Sequence, residues 1–341
     1  MAALPELQHL SLMQDNSTCF SSLVLQRLQQ LTFLELSGML LQSQDAIQHL
    51  QALTRLHELR LARVQGLQHL QPSTHSGFQQ LSVLRFHQSW DSRLCLGVLA
   101  SKPRLQHLEV VSCGMPGDSA VIALLLSHLQ HQQQLSHLNL SSSLRCRQPS
   151  HSGAAYSAVT GSSKLQHLDI SGCMLPAGAW QELFPAGRQL PHLQVLDIQG
   201  ILTSVHSIAP DGSCLVSCCP GLRALRMVNL QHSAELLAPL TGLSGLSELR
   251  LRPAALQSGS AGGQGLLFSR RGVEMVCQLT GLRRLHLWDP IEDSGLLLQL
   301  TRLKQLTHLE YGGALGRYLH TPAIWKVILR LGVLFAVAPE C

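Results

Sequence analysis

Leu105-Gln106-His107-Leu108-Glu109-Val110 is followed 30 residues on by Leu135-Ser136-His137-Leu138-Asn139-Leu140, and 30 further on by Leu165-Gln166-His167-Leu168-Asp169-Ile170. The phrase is a leucine, two residues, a second leucine, one residue and a large apolar residue. Working outward, it also begins at Leu7, Leu31, Leu56 and Leu81 on one side and at Leu193, Leu222, Leu246, Leu282 and Leu306 on the other. Both leucines hold in all twelve copies, and chance does not hold 24 positions to one residue type. An apolar phrase returning at near-fixed spacing marks a solenoid, in which no unit can bury its own apolar edge and stacked units bury one another's.

Successive first leucines are 24 to 36 residues apart. Within the phrase apolar and polar residues alternate, which predicts a short strand. Between phrases, Gln44–Leu53, Ala120–Leu129, Ala234–Leu240, Val273–Leu279 and Gly295–Leu303 place apolar residues three and four apart, which predicts helices. The phrase resembles that of leucine-rich repeat proteins, L-x-x-L-x-L-x-x-N/C-x-L. The resemblance covers roughly residues 4 to 315. It implies an α/β fold, a right-handed horseshoe with a parallel concave sheet and convex helices, and residues 316–341 as a C-terminal capping segment. Leu10, Leu34, Leu59, Leu84, Leu108, Leu138, Leu168, Leu196, Leu225, Leu249, Leu285 and Leu309 are expected to be buried. The family's Asn/Cys position is met only by Cys113 and Cys173. Elsewhere it holds residues such as Met39, Val64 and Ser143, so waters, other bonds or looser turns must replace that ladder.

Composition narrows the class. A net charge of +5 with 13% charged residues is no nucleic-acid footprint, which needs clustered Lys and Arg. The ten cysteines include no C-x-x-C pair, and Cys214, Cys218 and Cys219 read as buried small residues. A reducing compartment and a cytoplasmic location fit, the alternative being the cytoskeleton or a ciliary axoneme. No signal peptide is legible at the N-terminus. The apolar run Ile324–Ala338 is shorter than the ~20 residues of a membrane span and reads as a capping helix. Ser141–Ser163 and Arg252–Gly272 are rich in Ser and Gly and are expected to be mobile loops. The chain enters its first repeat by Leu4, which leaves open that it belongs to a longer product.

Solenoids bind on the face their strands align. Between the second leucine and the third apolar residue the chain reads Ser11, Glu35, Arg60, Arg85, Glu109, Asn139, Asp169, Asp197, Arg226, Arg250, His286 and Glu310. An acidic centre stands between two basic flanks, and Arg284 enlarges the second. Either this is a charge-patterned groove that steers a protein partner, or exposed strand positions are simply polar. The candidate partner-binding residues are Arg60, Arg85, Glu109, Asn139, Asp169, Asp197, Arg226, Arg250, Arg284 and His286. A second column holds His9, His107, His137, His167 and His308. Imidazoles one strand apart could chelate a metal or sense pH, but Gln-His-Leu also occurs outside the phrase, and no metal or cofactor is expected. Asp169 and Asp197 read as part of a surface ladder, and no catalytic motif is present.

The function expected is a non-enzymatic protein-interaction scaffold, its partner and oligomeric state unspecified. Its Gln-, His-, Ala-, Gly- and Ser-rich filler is similar to that of leucine-rich repeat proteins of green algae, some of them axonemal. One alternative is a fragment of an F-box substrate receptor of a ubiquitin ligase, whose F-box would precede the repeats. Another, an enzyme regulator, rests on fold analogy.

Overall fold

Every one of the twelve phrases forms a strand. The structure is a computed structural model that describes residues 6–14, 19–20, 22–41, 46–64, 78–88, 99, 104–113, 119–145, 156–176, 178–203, 212–229, 233–253, 268–287, 291, 294–311 and 334–337. The chain divides into two compact units. One comprises Met1–Leu183 with Leu202–His206, the other Phe184–Ile201 with Ser207–Cys341. In the first, the phrase strands are β1 (His9–Met13), β3 (Phe33–Ser37), β5 (Glu58–Ala62), β6 (Val83–His87), β7 (His107–Val111), β8 (His137–Asn139) and β9 (His167–Asp169). Each pairs in parallel with the next, second leucine against second leucine: Leu34 with Leu59, Leu84 with Leu108, Leu138 with Leu168. Short strands β2 (Cys19–Phe20) with β4 (Leu40–Leu41), and β10 (Met174–Leu175) with β12 (Leu202–Thr203), form two further parallel pairs.

The second unit repeats the scheme with β11 (Val195–Ile198), β13 (Ala224–Asn229), β14 (Glu248–Pro253), β15 (Arg284–Leu287) and β16 (His308–Tyr311). A parallel pair needs a crossover, and the returning segments supply it. They are helices at Ala46–Gln51, Ser119–Leu129, Ser233–Leu240 and Arg270–Gln278, as the periodicity predicts. In the last of these Ser269 caps the N-terminus by accepting from Gly272 N at 3.2 Å, and Val273, Val276 and Cys277 face inward. The segment at Gly295–Leu303 differs from expectation. It is a 3-10 helix, Ser294–Arg302, tighter than the predicted α-helix. Strand, turn, return and parallel strand, repeated with buried leucines, make this an α/β leucine-rich repeat solenoid fold.

The second leucines fill the core. From Leu34 through Leu285 they are fully buried, and Leu309 is 2% exposed. Leu10 is the exception: it is half-exposed, as is Leu12, because among the described residues β1 has a strand neighbour on one side only. The expectation of a helix over Ile324–Ala338 is also corrected in part. Leu334–Val337 is a strand, β17, paired in parallel with β16, while residues 324–333 and 338 lie outside the described residues.

The two Ser/Gly stretches are described only at their ends, which are packed. Residues 146–155 and 254–267 lie outside the described residues. Past them the chain packs: Tyr156 and Val159 are buried, and Thr160 donates to Leu183 O at 2.8 Å. Ser162 donates to Gln133 O at 3.1 Å, and Phe268 is buried just before the Ser269 cap. Among the described residues no helix is long and apolar enough to cross a membrane.

In seven consecutive repeats the turn after the strand is the same, though Gln14, Asn229 and Pro253, at the equivalent place in three others, do not share it. Seven positions after the first leucine, Gly38, Arg63, Gln88, Ser112, Ser142, Gly172 and Gly200 all have positive φ, between 50° and 67°. This left-handed residue reverses the chain, and its N–H reaches the neighbouring repeat: Gly38 N donates to Ala62 O, Arg63 N to His87 O, Gln88 N to Val111 O and Ser112 N to Ser141 O, each at 2.9 Å. Backbone thus supplies much of the bonding that the missing Asn/Cys side chains were expected to provide. At Gly172, with φ of 64°, a Cβ would come 2.5 Å from the Ser142 hydroxyl, so a larger residue would force that side chain to turn away.

The residue after this turn is the Asn/Cys position. Met39 and Val64 are buried there as plain apolar residues. In three consecutive repeats it is polar and bonded. Cys113 Sγ donates to Val111 O at 3.4 Å and Cys173 Sγ to Leu140 O at 3.1 Å. Ser143, which departs from the family letters, performs the same task. Its hydroxyl donates to Val110 O at 2.6 Å and accepts from Cys113 N at 3.2 Å. Burial pushes the Cys173 thiol up to about 11, keeping it a protonated donor.

Candidate functional site

Residues two apart on a strand share a face, and parallel register sets them beside their equivalents one repeat away. The column of candidate residues therefore forms as expected. In the first unit Glu35 lies against Arg60, Arg60 against Arg85, Arg85 against Glu109, Glu109 against Asn139 and Asn139 against Asp169. In the second, Asp197 lies against Arg226, Arg226 against Arg250, Arg250 against His286 and His286 against Glu310.

The column is not, however, a row of freely projecting charges. Two residues assigned to the exposed face, Asp197 and His286, are buried, at 6% and 5% exposure. The expected acidic centre is largely a turn device. Asn139 Oδ1 accepts from Ser141 N at 2.9 Å, Asp169 Oδ1 from Ser171 N at 2.9 Å and Asp197 Oδ1 from Gln199 N at 3.1 Å. A short Asx side chain taking the N–H two residues on competes with the sheet ladder and ends the strand. It is consistent with this that β8 and β9 are three residues long whereas β5, β6 and β7 are five.

The arginines are organised by glutamates from the adjacent column, which the sequence reading passed over. Glu58-Leu59-Arg60 and Glu248-Leu249-Arg250 are the same tripeptide on two strands, and its period of two puts both charges on one face. Glu58 lies 2.7 Å from Arg60 and 3.7 Å from Arg85. Arg60 also stacks its guanidinium over Phe33, 5.0 Å from the ring centre. Glu248 lies 2.7 Å from Arg250, 3.3 Å from Arg226 and 3.9 Å from Arg284. Arg226 adds Asp197 at 3.7 Å. The Glu248 side chain is 12% exposed, whereas that of Arg284 is 64% exposed.

Burial alone would raise the Glu248 carboxyl, but Arg250 and Arg226 outweigh it and hold the group below the ordinary carboxylate range. A depressed folded-state pKa stabilises the protein above the unfolded value, and the gain disappears as pH falls through the folded one. Glu248→Gln should therefore cost about 1–2 kcal/mol at neutral pH, as the loss of charged hydrogen bonds shared by partly exposed arginines. Below about pH 4, where a free glutamate protonates, urea unfolding should show the difference from the unaltered chain shrinking.

The histidine column stacks. His107 and His137 have parallel rings 3.9 Å apart, and His137 and His167 rings 4.2 Å apart. Burial, followed by the neighbouring His167 and His107, pushes the His137 imidazole down to about 3, so it is neutral at physiological pH. Glu109 takes His107 Nε2 at 2.6 Å and lies 3.6 Å from His137 Nε2 through one oxygen, and takes His87 Nε2 at 2.9 Å through the other. Those histidine hydrogen bonds hold its carboxyl well below the usual range. In the second unit His286 Nδ1 donates to Glu310 at 2.5 Å. Burial outweighs that carboxylate and lowers the imidazole, which stays neutral and keeps its Nε2 buried without a hydrogen-bond partner among the described residues.

Comparison with known protein families and with curated proteins finds no match. Among solved structures, the chain is similar to an internalin from Listeria monocytogenes, with a TM-score of 0.41 and 14% identity over 98% of this chain and 87% of that one.

Proposed function

We propose that this protein is a non-enzymatic interaction scaffold, and that the outer strand face of its second unit docks a protein partner presenting acidic groups. One observation carries the reading. Arg226, Arg250 and Arg284 converge on the carboxylate of Glu248, with Asp197 as a second carboxylate beside Arg226, so this cluster sets three guanidinium groups against two carboxylates at positions fixed by strand register. Arginines already restrained by packing and ion pairs lose less entropy on meeting a partner than free ones. A non-enzymatic role is supported by how the carboxylates are employed. Asp169 and Asp197 are committed to turns and Glu109 to histidines, which suits architecture better than proton transfer.

Removing the arginines alone would leave Glu248 buried against nothing. The test therefore changes Arg226, Arg250, Arg284 and Glu248 all to Gln, which lowers the charge by two without orphaning the carboxylate. Arg27→Gln with Arg302→Gln, on the 3-10 segments, lowers it equally away from the strand face. A partner recovered by affinity purification and re-expressed should associate at least about tenfold more slowly with the strand-face variant, and the gap should narrow at high salt. Slower association with the Arg27/Arg302 variant alone overturns the reading.

A further inference from the structure

We propose that His107, Glu109 and His137 form a binding site for a divalent transition-metal ion of the zinc class, with His87 holding the carboxylate from its other oxygen. Local geometry brings the ligands together. His107 and Glu109 are two apart on β7 and share its outer face. His137 is the register partner of His107 on β8. His87 ends β6, opposite Val111 at the end of β7, and points back to Glu109. Two strands of one unit thus deliver imidazole and carboxylate donors to one place, and a third steadies the carboxylate.

The distances fit. The candidate donor atoms of His107, Glu109 and His137 all lie within 4.8 Å of one another. A tetrahedral ion with ligand bonds near 2.0–2.1 Å sets its donors about 3.4 Å apart, so the donors must shift by about 1 Å and the stacked His107 and His137 rings must splay until their in-plane lone pairs converge on the ion. His137 Nε2 is already 3.6 Å from the carboxylate. His107 Nε2 now gives its proton to Glu109 at 2.6 Å, and binding requires that proton on Nδ1 so that Nε2 presents its lone pair. Imidazoles with one carboxylate suit zinc and its neighbours rather than calcium or magnesium, which prefer all-oxygen shells. The three ligands are half-buried, so an ion can enter from solvent. Arg85, 3.9 Å from Glu109, opposes a cation, but Glu58 at 3.7 Å draws on the same guanidinium. No protein partner is needed, so the proposal is independent of the docking reading.

The test is calorimetric titration of the full, chelator-stripped chain with Zn2+ alone. The unaltered chain should show one tight binding event. His107→Gln, Glu109→Gln and His137→Gln should each weaken it by at least about tenfold, since loss of even an outer-shell partner costs about 10–100-fold. His308→Gln, in the other His/Glu cluster, should leave it within about twofold, well short of even that outer-shell cost. Unchanged binding in the first three variants overturns the proposal. So does loss in His308→Gln, or weak binding spread evenly over all variants, the mark of scattered surface histidines. If a variant fails to fold, Co2+ on the unaltered chain decides. Intense visible bands with shifted imidazole proton signals from His107 and His137 support the site, and a faint six-coordinate spectrum overturns it.

Discussion

Leu168→Ala should lower the unfolding free energy by about 2–5 kcal/mol, among the largest effects any single truncation in the first unit can have. Leu168 is fully buried, on a strand whose register sets it directly against the equally buried Leu138. Removing three carbons there costs their transfer free energy and leaves a hole, because strands pinned by backbone hydrogen bonds cannot close in around it. Leu10→Ala makes the informative comparison. The same phrase position is half-exposed there, so less apolar surface is lost and much less cavity is made. Urea unfolding of both variants should separate them clearly. Equal costs would mean that burial does not increase inward from β1.

Ser143→Ala should cost about 1–3 kcal/mol, far more than a single oxygen would at the surface. The hydroxyl is completely buried, donates to Val110 O at 2.6 Å and accepts from Cys113 N at 3.2 Å. Alanine leaves a buried N–H without its acceptor and a buried carbonyl short of a donor, and water has no room to replace them. The penalty should be local. Amide exchange should quicken at Cys113 and in the adjoining turn before it does in β5. Ser143→Cys, the residue its two neighbouring repeats use, should restore most of the loss, because a buried thiol still donates as Cys173 does to Leu140 O. No recovery with cysteine would mean that hydroxyl size, and not the donated bond, matters.

Much of this was legible before the fold was seen. The leucine phrase located twelve strands, though not the short pairs β2 with β4 and β10 with β12, nor β17, because alternation with period two is a property of six adjacent residues. Four return helices were legible from spacings of three and four. The Gly295–Leu303 segment carried the same spacing, but which of the two tight helices forms there depends on what it packs against. The candidate column also assembled in the order read from the chain, since parallel register follows from stacking like phrases. What the sequence did not show is which members of the column are buried: Asp197 and His286 are. Asn139, Asp169 and Asp197 looked like acidic and polar surface and proved to hold turns. Glu58 and Glu248 went unnoticed although Glu-Leu-Arg occurs twice.

The sequence by itself determined the repeat, its twelve phrase strands and, Leu10 apart, their buried second leucines, because each rests on contacts within one phrase or on its identity with the next. Only the tertiary structure decided the left-handed turn that Gly38, Arg63, Gln88, Ser112, Ser142, Gly172 and Gly200 share, since no residue type marks it. It also decided that Ser143 stands in for cysteine, that three arginines share one glutamate, and that His87, His107 and His137 meet at Glu109. These arrangements join side chains of different repeats, more than 20 residues apart along the chain. At that separation a hydrogen bond or ion pair is set by strand register and burial, which come into being only when the repeats stack.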